Sequence, residues 1–360
     1  MPCSSRPTRR REDFATDCCK VSCVSIVGCL GGGQLGRMLA LAGIPLGLRF
    51  RFLDPAADAC AGEVGELLTG GYDDAALLDR LADGAEAVTF EFENVPVEAA
   101  RRVGALPGSR ALEEGQDRLR EKELFRRLGI PTPRFGNLDE TGLPAIVKSR
   151  RLGYDGKGQR RVDRPEPVGN GELAEELVSF ARELSIVAVR GRDGETGFYP
   201  LAENVHRDGI LRLSRAPAPG VPEALAREYA GRLLEELDYV GVLALELFEV
   251  EGRLLASEFA PRVHNSGHWT IDAAPTSQFE NHLRAVLGLP LGPTDARAPS
   301  VMVNLVGSVP PLADLLALPG AHVHLYGKSP RAGRKVGHVT LIEPAEATLR
   351  DALALTGVEP

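Results

Sequence analysis

The stretch that decides the fold is Lys148-Ser149-Arg150-Arg151-Leu152-Gly153-Tyr154-Asp155-Gly156-Lys157-Gly158-Gln159. It follows the apolar, β-favouring run 145–147 and combines three glycines with four basic residues. Glycine allows positive φ angles and close approach of the backbone to a ligand, and successive N–H groups can then form an anion-binding concavity. The stretch therefore predicts a loop that folds over a polyphosphate, although a basic surface hairpin would have the same composition.

The composition of the whole chain limits the classes of function. Its 360 residues predict two or three compact units, and 43% apolar and 26% charged residues are ordinary for a globular protein. A net charge of −8 argues against a general nucleic-acid-binding protein, while local basic residues can still bind small anions. No apolar run reaches the roughly 18–20 residues that cross a bilayer. We therefore expect a cytoplasmic protein with no nucleic-acid or membrane partner.

The N-terminus is rich in cysteine but lacks the spacing of a metal site. Residues 1–22 are predicted to be a disordered extension. Five of the six cysteines precede residue 30, and none forms a Cys-x-x-Cys pair. Because a zinc site would need a second ligand pair, reduced thiols are the simpler interpretation.

A strand at 24–30, the glycine turn 31–36 and a helix at 37–42 predict a βα unit. The next strand, 48–53, ends at Asp54, which matches the G-x-G-x-x-G fingerprint with an acid about 20 residues on. This pattern predicts a dinucleotide site. A turn of this kind can equally hold another phosphate or a small ligand at the helix N-terminus, so both interpretations remain open.

Polar residues follow the next predicted strand, 87–90. Glu91 and Glu93 would share one face if the strand continued, at the sheet edge where ligands of α/β folds bind. A charged helix at 116–128 is followed by Gly129 and two prolines, which mark the boundary before the glycine-rich loop. The segment 172–182 is interpreted as helical or irregular, and strands are predicted at 183–190 and 197–207.

Two acids interrupt otherwise apolar strands. Glu246 lies in the run 240–248 and Glu258 in the run 254–260, and a turn at 251–252 would bring them together in a hairpin. Two carboxylates that share a site repel each other, and a divalent cation relieves that repulsion. An all-oxygen ligand set favours Mg²⁺. Edge-strand acids facing water are the alternative interpretation.

The C-terminal third places further polar residues on loops. The segment 261–269 contains an arginine, two histidines, an asparagine and the single tryptophan. Its histidines lack a third zinc ligand nearby in sequence. Strands are predicted at 301–305, 321–326 and 336–342, and a basic cluster at 328–335 indicates a phosphate subsite or a solvated loop.

Together these segments resemble the ATP-grasp superfamily, and within it the family of N5-carboxyaminoimidazole ribonucleotide synthases. The most specific stretches are 32–39, 90–96, 153–159, 260–270 and 326–328. The resemblance implies a mixed α/β and α+β ATP-grasp fold. It divides the chain into a Rossmann-like pre-ATP-grasp domain at 23–130, a small lid domain at 131–205 and a C-terminal domain at 206–360 with a β-rich tail at 299–345.

The resemblance also implies the binding residues. For ATP they are Arg118, Lys148, Gly153, Tyr154, Asp155, Gly156, Lys157, Gly158, Gln159, Glu175, Glu176, Leu177, Val178, Glu183, His206, Ser257 and Glu258. For the metal, Mg²⁺ with Mn²⁺ as the alternative, they are Glu246 and Glu258. For the ribonucleotide they are Gln34, Leu35, Glu91, Tyr154, Lys157, Arg262, His264, Asn265, Ser266, Lys328, Arg331, Arg334 and Lys335.

The implied activity is the ATP- and bicarbonate-dependent carboxylation of 5-aminoimidazole ribonucleotide in purine biosynthesis, by a homodimer. Its catalytic residues would be Arg262, Asp155, His264 and Glu91. Three alternatives remain: a formate-dependent glycinamide ribonucleotide transformylase, a dinucleotide-dependent oxidoreductase and a non-catalytic ATP-binding scaffold. The chain departs from the family pattern at Leu152, where the loop usually has glycine, and at Ser257, where asparagine is usual.

Overall fold

A computed structural model of the protein describes residues 25–153, 158–220 and 222–358. The expected N-terminal extension 1–22 and the cysteines before residue 25 lie outside these ranges. So do four predicted loop residues, Tyr154, Asp155, Gly156 and Lys157.

The N-terminal unit is a parallel four-stranded sheet in the order β3-β2-β1-β4. Strands that alternate with helices pair in parallel because each crossover returns the chain to the same end of the sheet. This confirms the predicted βα unit, but the chain leaves the sheet at Phe90, so Glu91 and Glu93 do not share a strand face. The elements are β1 (Ile26–Leu30), α1 (Gln34–Gly43), β2 (Arg49–Asp54), β3 (Glu66–Thr69), α2 (Ala75–Ala82) and β4 (Ala85–Phe90).

Three helices connect this unit to the rest of the chain: α3 (Val97–Arg102), α4 (Ser109–Gly115) and α5 (Arg118–Arg127). The predicted charged helix is α5. Asp117 caps it by accepting a 3.1 Å hydrogen bond from the Leu119 N–H. Its apolar side packs Leu124 and Phe125 into the core beneath the largest sheet. The helix therefore directs its charged first turn toward the centre of the molecule.

A small antiparallel sheet in the order β5-β8-β6-β7 holds the glycine-rich loop between β6 and β7. The prediction of helical or irregular structure for 172–182 was wrong for 172–176, which form the strand β8, whereas 177–181 are irregular as predicted. Residues 173–175 are buried there, and pairing with β6 outweighs the weak strand preference of the three glutamates. The elements are β5 (Phe135–Gly136), α6 (Leu138–Thr141), β6 (Ala145–Ser149), β7 (Gln159–Val162) and β8 (Glu172–Glu176).

The largest sheet has nine strands, in the order β14-β13-β9-β11-β12-β15-β17-β16, with β10 paired to β9. The sequence analysis found most of these strands but missed β12 and α9. The strands are β9 (Arg182–Arg190), β10 (Thr196–Phe198), β11 (Ala202–Arg207), β12 (Ile210–Ala216), β13 (Gly241–Val250), β14 (Arg253–Ala260), β15 (Ser300–Val306), β16 (Ala321–Leu325) and β17 (Lys335–Ile342). The helices are α7 (Glu223–Glu236), α8 (Thr270–Ala273), α9 (Gln278–Leu287), α10 (Leu312–Leu316) and α11 (Glu346–Thr356).

The strand pairing divides the chain differently from the expected lid boundary at residue 205. The small sheet ends at Glu176, whereas β9 to β11 belong to the nine-stranded sheet. The tail 299–345 was expected within the C-terminal domain, and β12 pairs with β15, which joins the tail strands to the same sheet as the rest of that domain. Continuous hydrogen bonding between strands decides the lid boundary, and sequence composition does not show it.

One apolar core joins the N-terminal unit to the largest sheet. Leu39 of α1, Leu283 of α9 and Val242 of β13 are fully buried in the same cluster, with Trp269 at 1% exposure. Each such side chain contributes about 1.5–3 kcal/mol by leaving water. The loops at the ends of these elements are therefore fixed relative to one another. Among the described helices, none is long and apolar enough to span a membrane.

Candidate active site

A cavity of about 880 Å³ lies where the three sheets meet. It brings together most of the predicted site residues that the structure describes. Those that line it are Gln34, Leu35, Glu91, Arg118, Lys148, Gly153, Gln159, Glu175, Glu176, Leu177, Val178, Glu183, His206, Glu246, Ser257, Glu258, Arg262, His264, Asn265, Lys328 and Lys335. Four others, Gly158, Ser266, Arg331 and Arg334, are not part of its lining.

The two strand acids are neighbours, as the sequence predicted. Glu246 of β13 lies opposite Glu258 of β14, and a β-bulge directly after Glu246 locally twists the hairpin. Arg118 donates a 2.8 Å hydrogen bond to Glu258, and the His264 Nε2 lies 3.0 Å from Glu246. Burial alone would raise the pKa of Glu258, but Arg118 and Lys148 hold it at about 2. The carboxylate is therefore ionised at neutral pH.

Facing carboxylates of this kind suit a hard divalent cation. Mg²⁺ is typically held by one or two carboxylates together with substrate phosphates, because it retains an octahedral oxygen shell. The oxygens of Glu246 and Glu258 line the same cavity, and basic residues stand close enough to share a phosphate with the ion. The donor set fits Mg²⁺.

A buried ionic cluster forms the basic wall of the cavity. Lys148 of β6 donates a 2.9 Å hydrogen bond to Glu175 of β8, and the Lys122 ammonium lies 3.4 Å from the same carboxylate oxygen. Burial would raise the pKa of Glu175, but the two lysines lower it to about 2. Lys122 also donates to the Ser257 carbonyl oxygen at 2.5 Å. The cluster thus ties the small sheet, α5 and the hairpin together.

Lys122 and Glu121 are functional candidates that the sequence analysis did not single out. Both are buried, and the Glu121 carboxylate accepts a 2.6 Å hydrogen bond from the Phe259 N–H. Burial and the nearby Glu258 raise the pKa of Glu121 to about 8. The signal was present in the spacing, since positions 118, 121, 122 and 125 share one face of a helix. Charged residues on a helix more often face solvent than a binding site, so this spacing was only a weak indication of function.

Arg262, two residues after the end of β14, is held by the partly buried carboxylate of Glu93. Its Nε donates to Glu93, and its Nη1 donates to the Val263 carbonyl oxygen at 3.0 Å. Burial would raise the pKa of Glu93, but the guanidinium holds it below its ordinary value. Gln116 fixes the Glu93 segment by donating to the carbonyl oxygens of Glu93 and Val95. The guanidinium is consequently pre-oriented in the cavity wall.

His264 is oriented by a chain of hydroxyl groups. The Ser266 Oγ lies 2.9 Å from His264 Nδ1 and 2.8 Å from the Ser185 Oγ, which accepts a 2.9 Å hydrogen bond from Asn204. The prediction that Ser266 contacts substrate is not supported, because this serine is buried and outside the cavity lining. It supports the imidazole instead.

The far end of the cavity is partly apolar. Phe180 and Phe248 stack with ring centroids 4.7 Å apart, next to the predicted hinge residues Leu177 and Val178. At its polar border, the Nδ1 of His206 lies 2.5 Å from Glu183. Burial would lower the pKa of this histidine, but Glu183 and Glu246 raise it. A flat aromatic ring and a ribose would fit this combination.

The basic tail loop reaches the cavity only in part. Lys328 donates to the Gln34 side chain across 294 residues of sequence, and Lys335 also lines the cavity. Arg331 is exposed, and Arg334 donates a 3.2 Å hydrogen bond to the Ser329 carbonyl oxygen. Neither arginine lines the cavity: Arg331 faces solvent and Arg334 bonds within the loop. This differs from the prediction that all four basic residues of the loop bind one phosphate.

The glycine turn at the start of α1 is filled by a carboxylate. Glu91 accepts hydrogen bonds from the N–H groups of Gly33, Leu35 and Gly36 at 2.7, 3.0 and 3.0 Å. Asp54 accepts from Gly32 at 2.8 Å. In a dinucleotide site those amides would bind the pyrophosphate. The dinucleotide hypothesis therefore fails, and the contacts of Glu91 hold the turn rather than reach a substrate amine.

Leu152 stands in an unusual conformation before the central loop. Its φ is 62° and its side chain is 72% exposed. The left-handed region costs a residue with a Cβ roughly 1–2 kcal/mol, and glycine avoids this cost. The departure from the family pattern at this position thus has a physical consequence for the backbone.

Comparison with known proteins gives family models along most of the chain. A ribonucleotide synthetase preATP-grasp domain matches residues 24–114, and an ATP-grasp domain matches residues 123–279. A phosphoribosylaminoimidazole carboxylase C-terminal domain matches residues 300–352.

The chain is also similar to curated proteins along nearly its whole length. It is 52% identical over 351 residues to N5-carboxyaminoimidazole ribonucleotide synthase of Pseudomonas aeruginosa. The aligned region covers 91% of this chain and 97% of the relative. Its identity to the protein of the same name from Brucella melitensis is 46% over 350 residues, covering 89% and 97%.

Solved structures agree with the fold. The crystal structure of N5-carboxyaminoimidazole ribonucleotide synthetase from Thermus thermophilus is 55% identical with a TM-score of 0.88, covering 93% of this chain and 99% of that one. The Aspergillus clavatus N5-carboxyaminoimidazole synthase, in complex with ADP and 5-aminoimidazole ribonucleotide, is 32% identical with a TM-score of 0.83 and coverages of 93% and 98%. The predicted ATP-grasp fold is thereby confirmed.

Replacing Gly33 with alanine tests the filled turn. A Cβ at this position would lie 2.4 Å from the Glu91 carboxylate oxygen, which three amides hold in place. We expect Gly33→Ala to lower the free energy of unfolding by about 1–3 kcal/mol, as overpacking does elsewhere. Urea unfolding measures it. Gly171→Ala is the control, since a Cβ there meets nothing within 4 Å. Equal stability of the two variants would contradict the geometry.

The raised pKa of Glu121 predicts a pH-dependent stability. Below pH 4.5 the carboxyl is protonated in both states, and from there to about pH 8 only the unfolded chain ionises it. Wild type should therefore lose stability relative to Glu121→Gln as pH rises through this window, by up to a few kcal/mol. Urea titrations at pH 5, 6.5 and 8 measure the difference. The exposed Glu123→Gln on the same helix is the control, and a constant wild type-to-Glu121→Gln difference would refute the prediction.

Proposed function

The chain belongs to the family of N5-carboxyaminoimidazole ribonucleotide synthases, ATP-grasp ligases of purine biosynthesis, and we propose that its cavity couples ATP cleavage to carboxylation with bicarbonate. The observation that carries the proposal is the facing pair Glu246 and Glu258, with Arg118 and Lys148 beside it. This pair offers metal ligands and phosphate ligands at one place. A non-catalytic scaffold would not need both.

ATP is placed with its base at the apolar end of the cavity. Phe180, Phe248 and Leu177 provide flat and apolar walls there, and Glu183 stands where a ribose hydroxyl would follow. The phosphates would then run toward Arg118 and Lys148. The positive charges of Arg118 and Lys148 are already balanced by Glu258 and Glu175, which also hold the two side chains in place. The phosphates would therefore bind to donors that are already oriented.

Glu246 and Glu258 would hold Mg²⁺ between the hairpin and the phosphates. A bound Mg²⁺ supplies Lewis-acid stabilisation of the charge that develops during phosphoryl transfer. The protein contributes the two carboxylates, and the low pKa of Glu258 keeps that ligand ionised across the physiological range.

The first chemical step activates the carbon of bicarbonate, which is a poor electrophile, by phosphorylation. A bicarbonate oxygen attacks the γ-phosphorus of ATP, the bond to the bridging oxygen breaks, and carboxyphosphate and ADP result. Carboxyphosphate hydrolyses readily, so the site must exclude water. We assign this role to the 148–159 segment, whose described residues Lys148, Gly153 and Gln159 line the cavity.

The second step transfers the carboxyl group to the amine of 5-aminoimidazole ribonucleotide. The amine nitrogen attacks the carboxyl carbon, either in carboxyphosphate or in CO₂ released from it, and inorganic phosphate leaves. Arg262, fixed by Glu93, stabilises the developing carboxylate. His264 is the described group best placed to accept the amine proton, because Ser266 orients its ring and Glu246 balances its charge. Lys328 and Lys335 bind the phosphate of the ribonucleotide.

Two family properties remain predictions. A homodimer and a cytoplasmic location follow from the family relationship and are supported by no contact in the structure of a single chain. Within the ATP-grasp superfamily, a formate-dependent glycinamide ribonucleotide transformylase remains the alternative enzyme, since its chemistry would use the same ATP and metal ligands.

A substrate assay separates these enzymes. We expect ADP release to require 5-aminoimidazole ribonucleotide and bicarbonate together, because the phosphorylated acid must be captured by the amine. Coupled measurement of ADP, with glycinamide ribonucleotide plus formate as the matched pair of substrates, checks this. Turnover with the second pair and not the first would reject the carboxylase proposal.

Substituting one hairpin acid tests the metal and phosphate assignment. Glu258→Gln should lower kcat on the order of a hundredfold or more, since a Lewis acid is worth several kcal/mol. Glu251→Gln, on the exposed turn of the same hairpin, is the control and should keep wild-type turnover. Circular dichroism and the Mg²⁺ dependence of the residual rate are measured alongside. Full activity of a correctly folded Glu258→Gln variant would contradict the assignment of Glu258 as a metal ligand.

A further inference from the structure

A second group of metal-ligating side chains lies outside the cavity, between α8 and the β16–β17 hairpin. Asp272 of α8 approaches His324 of β16, with 2.9 Å between Oδ2 and Nε2. His338 of β17 stacks on His324 with ring centroids 4.6 Å apart. One ligand atom from each of these three residues lies within 4.8 Å of the other two. None of the three lines the cavity.

His338 carries an unused nitrogen in this cluster. The ring is fully buried, and its Nδ1 lies 2.7 Å from the Tyr326 hydroxyl. Its Nε2 has no hydrogen-bond partner within the described parts of the chain. Burying a polar atom without a hydrogen-bond partner destabilises the folded state, and a bound cation would remove that cost.

We propose that Asp272, His324 and His338 form a zinc site. Two imidazoles and a carboxylate are a donor set that suits Zn²⁺, and Zn²⁺ accepts four ligands in a tetrahedron. With an ion on Nε2, the Nδ1 of His338 would carry the proton and donate it to the Tyr326 hydroxyl 2.7 Å away, as partners beyond the metal ligands commonly accept such a proton. The fourth ligand is a water or His322, whose Nδ1 lies 3.6 Å from Asp272.

The position of the site gives it a structural role. Asp272 follows the 262–269 segment that carries Arg262 and His264, while Lys328 lies in the connection between β16 and β17 and Lys335 is the first residue of β17. An ion held by α8, β16 and β17 would therefore join the two segments that bind the second substrate. It takes no part in the chemistry, because its ligands do not reach the cavity.

The proposed ligands do not include the two histidines of the 261–269 segment. His264 and His268 lacked a third ligand in the sequence, and the structure uses His264 beside Glu246. The Nδ1 of His268 lies 3.3 Å from the Gln278 amide nitrogen, which donates to it. The ligands come from positions 272, 324 and 338, which are too far apart in sequence to form a recognisable motif.

The experiment measures metal binding by the full chain. Cys3, Cys18, Cys19 and Cys23 are replaced by serine to remove competing thiols, and the protein is titrated with Co²⁺ and then Zn²⁺. We expect one equivalent of Co²⁺ with the visible absorption of a tetrahedral site, displacement by Zn²⁺, and a higher Tm in Zn²⁺ by mass action. Asp272→Asn and His324→Gln should each weaken binding by about tenfold or more.

A histidine outside the cluster provides the control. His206→Gln should leave Co²⁺ absorption and affinity unchanged, because His206 lies in the ATP cavity beside Glu183. Circular dichroism without metal confirms that each variant is folded. Three results would overturn the proposal: no Co²⁺ bound by the chain with the four serine replacements, binding unaffected in both Asp272→Asn and His324→Gln, or binding lost in His206→Gln alone.

Discussion

Burying the ammonium group of Lys122 constrains three parts of the molecule at once. The group lies on α5, contacts Glu175 of the small sheet, and donates to the Ser257 carbonyl oxygen of the large sheet. An unpaired charge at this depth would cost several kcal/mol, so these three elements must meet in one arrangement. In this arrangement the side chains of Arg118 and Lys148 line the cavity.

The same constraint balances the charges on which phosphoryl transfer depends. Glu258 and Glu175 are ionised because basic groups lower their pKa values, whereas burial keeps Glu121 protonated below about pH 8. Cations and anions thus alternate along the wall. A nucleotide and its metal would enter a site whose donors are already oriented, which lowers the reorganisation needed during the reaction.

Much of the fold was predictable because its signals are local. Each of three features is recognisable from fewer than about ten consecutive residues: the glycine turn, the apolar run before Lys148 and the two acid-bearing strands. All of them form the predicted turns or strands. The errors share one cause. The segment 172–182 and the boundary at 205 depend on which strands pair, and pairing partners such as β6 and β8 are set by contacts between distant residues.

The sequence by itself determined which chemical groups are available: the glycine-rich segment with its basic residues, the acids of the hairpin and the family to which they belong. The tertiary structure decided which of those groups is free to act. Glu91 looked like a ligand-binding acid, yet three backbone amides of the glycine turn occupy it. Lys122 was only one of several charged residues on a predicted helix, yet it is fully buried and contacts Glu175, which lines the cavity. The physical reason is that hydrogen bonding and burial depend on three-dimensional neighbours, and residue type alone does not specify them.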